Sequence, residues 1–129
     1  MAVTHPQEIP FQSANFSKPQ ETMEFPKGKV ELITLNGVTF GRATYQPGWR
    51  WSTHVKPIAG TGSCQVAHLG MQLSGTMHIR MDDGAERDII PGEVVNIPPG
   101  HDGWVVGNEP AVFIHITGMA NYAKQTKAA

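Results

Sequence analysis

The chain has 129 residues, which is enough for one domain with a single buried core and too few for a second independent domain. Its 10 Lys and Arg against 11 Asp and Glu give a formal net charge of -1 with no basic run, so neither nucleic acid nor an anionic membrane is an expected partner. One cysteine, no signal-like start and no apolar run near the ~20 residues of a membrane span predict a cytoplasmic, reducing location.

The N-terminal region is rich in proline and lacks a regular hydrophobic pattern. Residues 1–28 contain four prolines and no sustained period, so we expect an irregular N-terminal arm there. The apolar residues of this arm should pack either on the domain's own flank or on a second subunit, and the sequence leaves both options open. These residues are Ile9, Phe11, Phe16 and Phe25.

From residue 29 the pattern changes to short strands and tight turns. "KVELITL" and "VTFGRATYQ" flank Asn36-Gly37, the pair that a type I′ hairpin turn prefers. "PGWR" at 47–50 predicts a turn, and "WSTHV" at 51–55 predicts a short strand. Further strands are predicted in HLGMQLSG, TMHIRM, AERDII, EVVNI, GWVVG and AVFIHIT. Roughly eight to ten strands at this spacing predict an all-β sandwich or barrel over residues 29–118, followed by a tail at 119–129.

Four residues around a Pro/Gly/Ser insert at 57–63 have a distinctive spacing. Five residues separate Gly48 from His54, and six residues separate His68 from Gly75. This spacing resembles the first motif of the cupin superfamily, in which Gly, five residues, His-x-His, three or four residues, Glu and six residues lead to a final Gly. In that comparison His68 stands at the position of the Glu.

A second segment resembles the second cupin motif, which is Gly, five residues, Pro-x-Gly, two residues, His, three residues and Asn. Gly92, Pro98 and Gly100 match, position 103 is Gly, and His101 lies two residues before the motif's His. Residues two apart on a strand share a face, so we expect His101 on the ligand's side of the strand. The resemblance covers about residues 38–118 and implies a small cupin jelly-roll β-barrel of two antiparallel sheets.

The resemblance also implies a divalent transition metal in the barrel, with Fe, Mn, Ni, Cu and Zn all suited to imidazole. The predicted ligands are His54, His68 and His101, and the competing interpretation is that each is a surface or hydrogen-bonded histidine. Three other residues are candidates for a fourth ligand or a substrate contact: Gln72, Cys64 and Lys56. Their alternatives are an exposed strand end, a small buried apolar residue and a solvated charge.

Other polar and aromatic residues are expected to have structural roles. His78 and Arg80 alternate with an apolar row and should face solvent. His115 is expected to line the far end of the barrel or to cap its core. Trp51 should pack outside the cavity, because it has the opposite strand parity to the histidine three residues later. Asp102 is expected in a turn, with orientation of the adjacent imidazole as the alternative.

Two functions from different classes fit this sequence. The first is a metal-dependent small-molecule enzyme, for which the resemblance offers three-histidine cupins of the dioxygenase type as the nearest precedent and isomerase-like or lyase-like chemistry as a variant. The second is a cupin that binds or senses a small molecule without catalysis, which the departures from the metal motifs favour. We expect a homodimer, because most small cupins pair through their strands and the Phe-rich arm supplies apolar surface.

Overall fold

The computed structural model describes residues 10–117, which form two antiparallel β-sheets and two short helices. The first elements are β1 (Glu21–Phe25), β2 (Gly28–Leu35), β3 (Val38–Tyr45), α1 (Trp51–His54) and α2 (Lys56–Ala59). The later strands are β4 (His68–Ser74), β5 (Thr76–Met81), β6 (Glu86–Ile89), β7 (Val94–Ile97), β8 (His101–Val106) and β9 (Ala111–Thr117). The predicted all-β class and the two antiparallel sheets are confirmed.

The two sheets differ in size and are not hydrogen-bonded into one closed barrel. The larger has the strand order β1-β2-β3-β9-β4-β7, and the smaller has the order β6-β5-β8. The core lies between them, with Val30 and Ala43 from the large sheet fully buried and Met77 and Val105 from the small sheet in the same apolar cluster. β4 belongs to the larger sheet and β8 to the smaller one, so the first residues of these two strands lie on facing sheets. The site described below forms at this point.

The Asn36-Gly37 hairpin forms where the sequence predicts it. Both residues have positive φ, 49° and 77°, as a type I′ turn requires, and Leu35 pairs with Val38 across the turn. Five of the six later strands lie within the segments predicted for them, and β8 begins at His101, two residues before its predicted segment GWVVG. Turn chemistry therefore fixes most of the strand boundaries.

The N-terminal arm differs from the expectation in its second half. Residues 21–25 form the edge strand β1, paired with β2, because the prolines at 19 and 26 bracket this segment rather than interrupt it. Phe25 is buried and lies 6.1 Å from Tyr45 and 6.3 Å from Trp49 between ring centroids. Phe16 packs against Arg42 of β3. These two aromatic residues therefore pack on the domain's own flank, whereas Ile9 and the tail at 119–129 lie outside the described residues.

The strand predicted for residues 51–55 is wrong, because this segment is helical. Trp51, Val55 and Ala59 are buried at intervals of four residues, which is the spacing of one helix face. The peptide N–H of Val55 donates to the Trp51 carbonyl and that of Ala59 donates to the Val55 carbonyl. Neither this short helix nor any other among residues 10–117 has the length and apolar character to cross a membrane.

Candidate metal centre and cavity

Three buried metal-binding side chains come together between the sheets: Cys64, His68 and His101. Each offers one ligand atom, and these three atoms all lie within 4.8 Å of one another. His68 begins β4 and His101 begins β8, while Cys64 lies in the segment that leads into β4. The Cys64 Sγ is 3.7 Å from the His68 Nε2. The group has the donor atoms and the compactness of a transition-metal site.

Main-chain hydrogen bonds hold two of these side chains in place. The Cys64 N–H donates to the His101 carbonyl at 2.7 Å, and the Gly100 N–H donates to the Cys64 carbonyl at 2.7 Å. The His101 Nδ1 lies 2.8 Å from the Pro98 carbonyl, which can only accept, so Nδ1 carries the proton. The Nε2 of His101 is left with its lone pair, as a metal ligand requires.

Burial keeps the imidazoles of this region uncharged. It lowers the pKa of His68 to about 3, with a further contribution from nearby His101. Burial also lowers the pKa of His101, and it lowers that of His115 well below the usual value. For Cys64 burial raises the pKa of the thiol to about 11, so a thiolate there needs a bound cation to stabilise it. The histidines therefore offer lone pairs at neutral pH.

The chemistry of the donor set fits a transition metal. Two imidazole nitrogens and one sulfur suit zinc, copper and iron, whereas magnesium and calcium prefer oxygen ligands. Three protein ligands leave at least one coordination position for water or a substrate, which is the arrangement of catalytic rather than structural zinc sites. The residues present therefore fit the metal that the cupin resemblance implies.

A cavity lies beside the three donors and is lined by residues of both sheets. It has about 40 Å³ of space for water-sized molecules, which corresponds to roughly three waters. Its aromatic wall consists of Tyr45, Trp49, Trp51 and Phe113. Its polar side chains are His68, Gln72, His101 and His115. Among the described residues, no Lys, Arg, Asp or Glu lines this cavity.

His54, one of the three predicted ligands, is not in the group that the structure brings together. It lies in α1, half-buried, and its Nδ1 accepts a hydrogen bond from the Arg50 N–H at 3.0 Å. The helix changes the direction of its side chain relative to the strand that parity assumed. Lys56 lies exposed at the start of α2. Cys64 is therefore the residue that joins His68 and His101, although its buried apolar role was the simpler expectation.

Gln72 lies in the cavity on the same face of β4 as His68, as its spacing predicts. It is fully buried, and its Nε2 donates to the carbonyls of Ser74 at 2.9 Å and Gly75 at 3.1 Å. Trp51 also lines the cavity, so the expectation that it packs outside is wrong, again because residues 51–54 are helical.

Asp102 has a different role from either of those predicted. It lies in β8, where its carboxylate accepts from the Ser52 N–H at 3.0 Å and from the Arg50 Nε at 3.2 Å. These bonds anchor the start of α1 to the small sheet. The His101 imidazole is oriented by the Pro98 carbonyl instead.

His115 is the cavity residue whose position the sequence specified least. It lies in β9, and its ring centroid is 4.9 Å from that of His68 and 4.4 Å from that of Phe113. Opposite it on β4 is Gly70, where a Cβ atom would lie 1.9 Å from the Ile114 carbonyl oxygen. The glycine therefore allows β4 and β9 to approach closely at this point. His115 is two residues from Phe113 and shares its strand face, and this spacing is the sequence signal that places His115 inside.

Comparison with known proteins supports the fold. No protein-family profile matches the chain, and no curated protein sequence matches it. Solved structures that resemble it include a protein of unknown function (DUF1255) from Acidithiobacillus ferrooxidans, with a TM-score of 0.58 and 16% identity over 89% of this chain and 100% of that chain. The EutQ protein of Clostridium difficile has a TM-score of 0.52 and 18% identity over 77% of this chain and 67% of that one.

A cupin-like protein from Thermotoga maritima has a TM-score of 0.50 and 17% identity over 74% of this chain and 73% of its own. Identities this low are informative about the fold alone. The resemblance found in the two sequence motifs agrees with these structures. The chain therefore has a small cupin-type fold.

Proposed function

We propose that this chain binds a divalent transition metal through Cys64, His68 and His101 and that it is an enzyme acting on a small molecule in the adjacent cavity. The observation that carries the proposal is the convergence of three buried donors within 4.8 Å, beside a cavity lined by residues of both sheets. A bound metal would supply Lewis acidity or a redox centre at that point. The metal's open coordination position would face a substrate rather than a fourth protein ligand.

The protein's own residues prepare the site for this chemistry. The Pro98 carbonyl keeps the proton of His101 on Nδ1, and the main-chain pairing of residues 64 and 100 holds the sulfur in place. The aromatic wall surrounds the cavity with apolar surface, and a low local dielectric constant strengthens electrostatic interactions inside it. In the described part of the chain no carboxylate lines the cavity, so proton transfer to or from a substrate would fall to neutral imidazoles such as His115.

The second candidate is a binding or sensing domain that uses the same cavity without turnover. The absence of any Lys, Arg, Asp or Glu among the described residues that line the cavity favours this alternative, because many general acids and bases are charged groups. The two candidates share the metal and the cavity. They differ in whether a bound small molecule is converted, which activity screening of the metal-loaded protein against cavity-sized compounds would decide.

Metal analysis of untagged protein tests the shared part of the proposal. We expect about one transition metal per chain after reconstitution, and we expect Cys64→Ser, His68→Ala and His101→Ala each to weaken binding about 10-fold or more. His54→Ala is the matched control, since His54 lies outside the group, and it should retain the metal. Less than about one tenth of a metal per chain, with no binding on reconstitution, would contradict the proposal.

Cobalt substitution tests the sulfur ligand separately. Co(II) bound through a thiolate gives a sulfur-to-metal charge-transfer band in the near ultraviolet, and nitrogen or oxygen ligands do not give this band. We expect the band in wild-type protein and in His54→Ala, and we expect Cys64→Ser to lose it. A cobalt complex without the band would exclude Cys64 as a ligand while leaving the two histidines in place.

We also propose that two copies of the chain associate through the outward face of β4. This face exposes Leu69, Met71 and Leu73, and Met71 is flanked by its strand partners Val94 and Ile114. An apolar surface without charges is complementary to itself, as a two-fold symmetric dimer requires. Light scattering at micromolar concentration should give the mass of a dimer. A monomer under those conditions would contradict the proposal.

A further inference from the structure

Four buried polar atoms around the cavity have no hydrogen-bond partner among the described residues. They are the Nε1 of Trp49, the Oε1 of Gln72, and both ring nitrogens of His115. Buried polar groups in folded proteins are hydrogen-bonded in the great majority of cases. Here all three residues line the same cavity beside the metal donors. Their concentration in one place points to a molecule that completes these bonds.

We propose that Trp49, Gln72 and His115 form a subsite, separate from the metal ligands, that recognises a small uncharged molecule carrying both a hydrogen-bond donor and an acceptor. A primary amide is the simplest chemical class with these groups. The subsite does not need the metal, although in the proposed enzyme it would hold the part of the substrate that the metal does not bind.

The hydrogen-bonding capacities of the three residues define the ligand. The indole N–H of Trp49 is a donor only, so it needs an acceptor on the ligand. The Nε2 of Gln72 already donates to two carbonyls, which orients the side chain and leaves Oε1 as an acceptor for a ligand N–H or O–H. Neutral His115 offers one donor and one acceptor. A molecule with only donors or only acceptors would leave part of this set unpaired.

Charge and volume narrow the class further. Since no Lys, Arg, Asp or Glu among the described residues lines the cavity, a carboxylate or an ammonium ion would be buried there without a counter-ion. The free space of about 40 Å³ for water-sized molecules holds roughly three waters, so the recognised group has only a few heavy atoms. Acetamide, with four heavy atoms, matches both limits, and acetate and ethylammonium are charged probes of similar size.

Titration followed by NMR tests the subsite in the metal-loaded protein and in chelator-treated protein. With ¹⁵N-labelled tryptophan, the indole signal of Trp49 is assigned through Trp49→Phe, and the signal of Trp104, which does not line the cavity, serves as the internal reference. We expect acetamide to shift the Trp49 signal saturably with a dissociation constant in the millimolar range, as so few atoms allow. In chelator-treated protein, acetate and ethylammonium should leave the signal unshifted at the same concentrations.

Two variants identify the groups responsible. Gln72→Met removes the acceptor and His115→Leu removes the imidazole, and each should weaken acetamide binding about 10-fold, whereas His54→Ala should not change it. If Gln72→Met fails to fold, His115→Leu carries the test alone, because it breaks no hydrogen bond seen in the structure.

Three results would overturn the subsite. These are equal shifts from acetate in metal-free protein, no shift of the Trp49 signal up to about 200 mM acetamide, and an acetamide dissociation constant that is unchanged in His115→Leu. If the protein binds no metal on reconstitution but still binds acetamide, the proposed enzyme function is contradicted and the subsite stands.

Discussion

Strands β4 and β5 follow one another around Gly75 but have opposite patterns of polarity. In β5 the inward positions are apolar and the outward positions are polar, as in an ordinary half-buried strand. In β4 the order is reversed. Its buried positions are His68, Gly70 and Gln72, and its exposed ones are Leu69, Met71 and Leu73. Two neighbouring strands of one domain therefore face the same interior with different chemistry.

The reversed polarity of β4 is a departure from the apolar-inside, polar-outside pattern that is best for stability. Buried polar groups oppose folding and exposed apolar groups contribute little to it, so a strand that has both needs a reason beyond its own packing. For β4 the proposed cavity explains the inward face, and the proposed association of two copies explains the outward face. For β5 no such reason is needed, because Met77 belongs to the core and His78 is paired on the surface with carboxylates of β6.

The largest expected effect comes from charging the outward face of β4. In Met71→Lys the dimer interface would contain one unpaired ammonium ion from each subunit, which costs about 3–5 kcal/mol per subunit. We expect wild-type protein to be a dimer at micromolar concentration and the variant to be a monomer with an unchanged circular dichroism spectrum. Sedimentation velocity measures the change. Arg80→Ala, on the outward face of β5, is the control and should leave the mass unchanged; a dimer that survives Met71→Lys would place the interface elsewhere.

The next effect compares the same residue type on the two strands. Met77 of β5 is 6% exposed and Met71 of β4 is 37% exposed. Met77→Ala creates a cavity in the core and should lower the free energy of unfolding by about 2–5 kcal/mol, whereas Met71→Ala should lower it by less than about 1 kcal/mol. Urea denaturation at low protein concentration, where association contributes little, gives both values. Equal losses would mean that the outward face of β4 is as well packed as the core.

A smaller effect of the opposite sign is expected inside the cavity. His115 is buried, and neither of its ring nitrogens has a hydrogen-bond partner among the described residues, so the protein does not compensate for the hydration that the imidazole loses on burial. His115→Leu should raise the free energy of unfolding of the metal-free protein by about 1–3 kcal/mol while weakening acetamide binding about 10-fold. His101→Leu is a matched comparison that also breaks the bond to Pro98, so it should stabilise less. A destabilised His115→Leu would show that this imidazole supports the fold.

The sequence predicts this fold well because its turns are encoded locally. Asn36-Gly37 and the Pro-Gly turns mark strand ends without reference to distant residues, and the resemblance to the cupin motifs gives the two-sheet architecture. The helix at 51–54 was missed because its decisive contacts are not local. Its first turn is held by Asp102, which is 50 residues from Ser52 in the chain.

The site was only partly predictable for the same reason. The motifs pointed to His68 and His101, and the structure brings these two together. Cys64 joins them through main-chain pairing with residues 100 and 101, which depends on how the 57–63 insert folds. No spacing rule specifies that pairing, so the sulfur remained an alternative and His54 took its place in the predicted set.

The smallest expected effect is on the outward face of β5 and depends on pH. Hydrogen bonds from His78 to Asp88 at 2.6 Å and to Glu86 at 2.8 Å raise the pKa of its imidazole above 6.5, and its ring also stacks on Trp104. A raised folded-state pKa means that the stabilisation is fully present below pH 6.5 and is lost as the pH rises through the folded-state value. Because both carboxylates are about half exposed, the contribution should stay below about 1 kcal/mol.

His78→Gln should therefore destabilise the protein slightly at pH 6 and have little effect at pH 9, as measured by urea denaturation at both pH values. Asp88→Asn removes the carboxylate that contributes most to the raised pKa of His78. This variant, which keeps His78, should show a smaller change of stability between the two pH values. The buried histidines of β4 and β9 do not interfere with this comparison, because they are present in all three proteins. If the stability difference between wild type and His78→Gln were the same at both pH values, the outward histidine of β5 would be a neutral surface residue, and the charge contrast between the outward faces of β4 and β5 would rest on Arg80 alone.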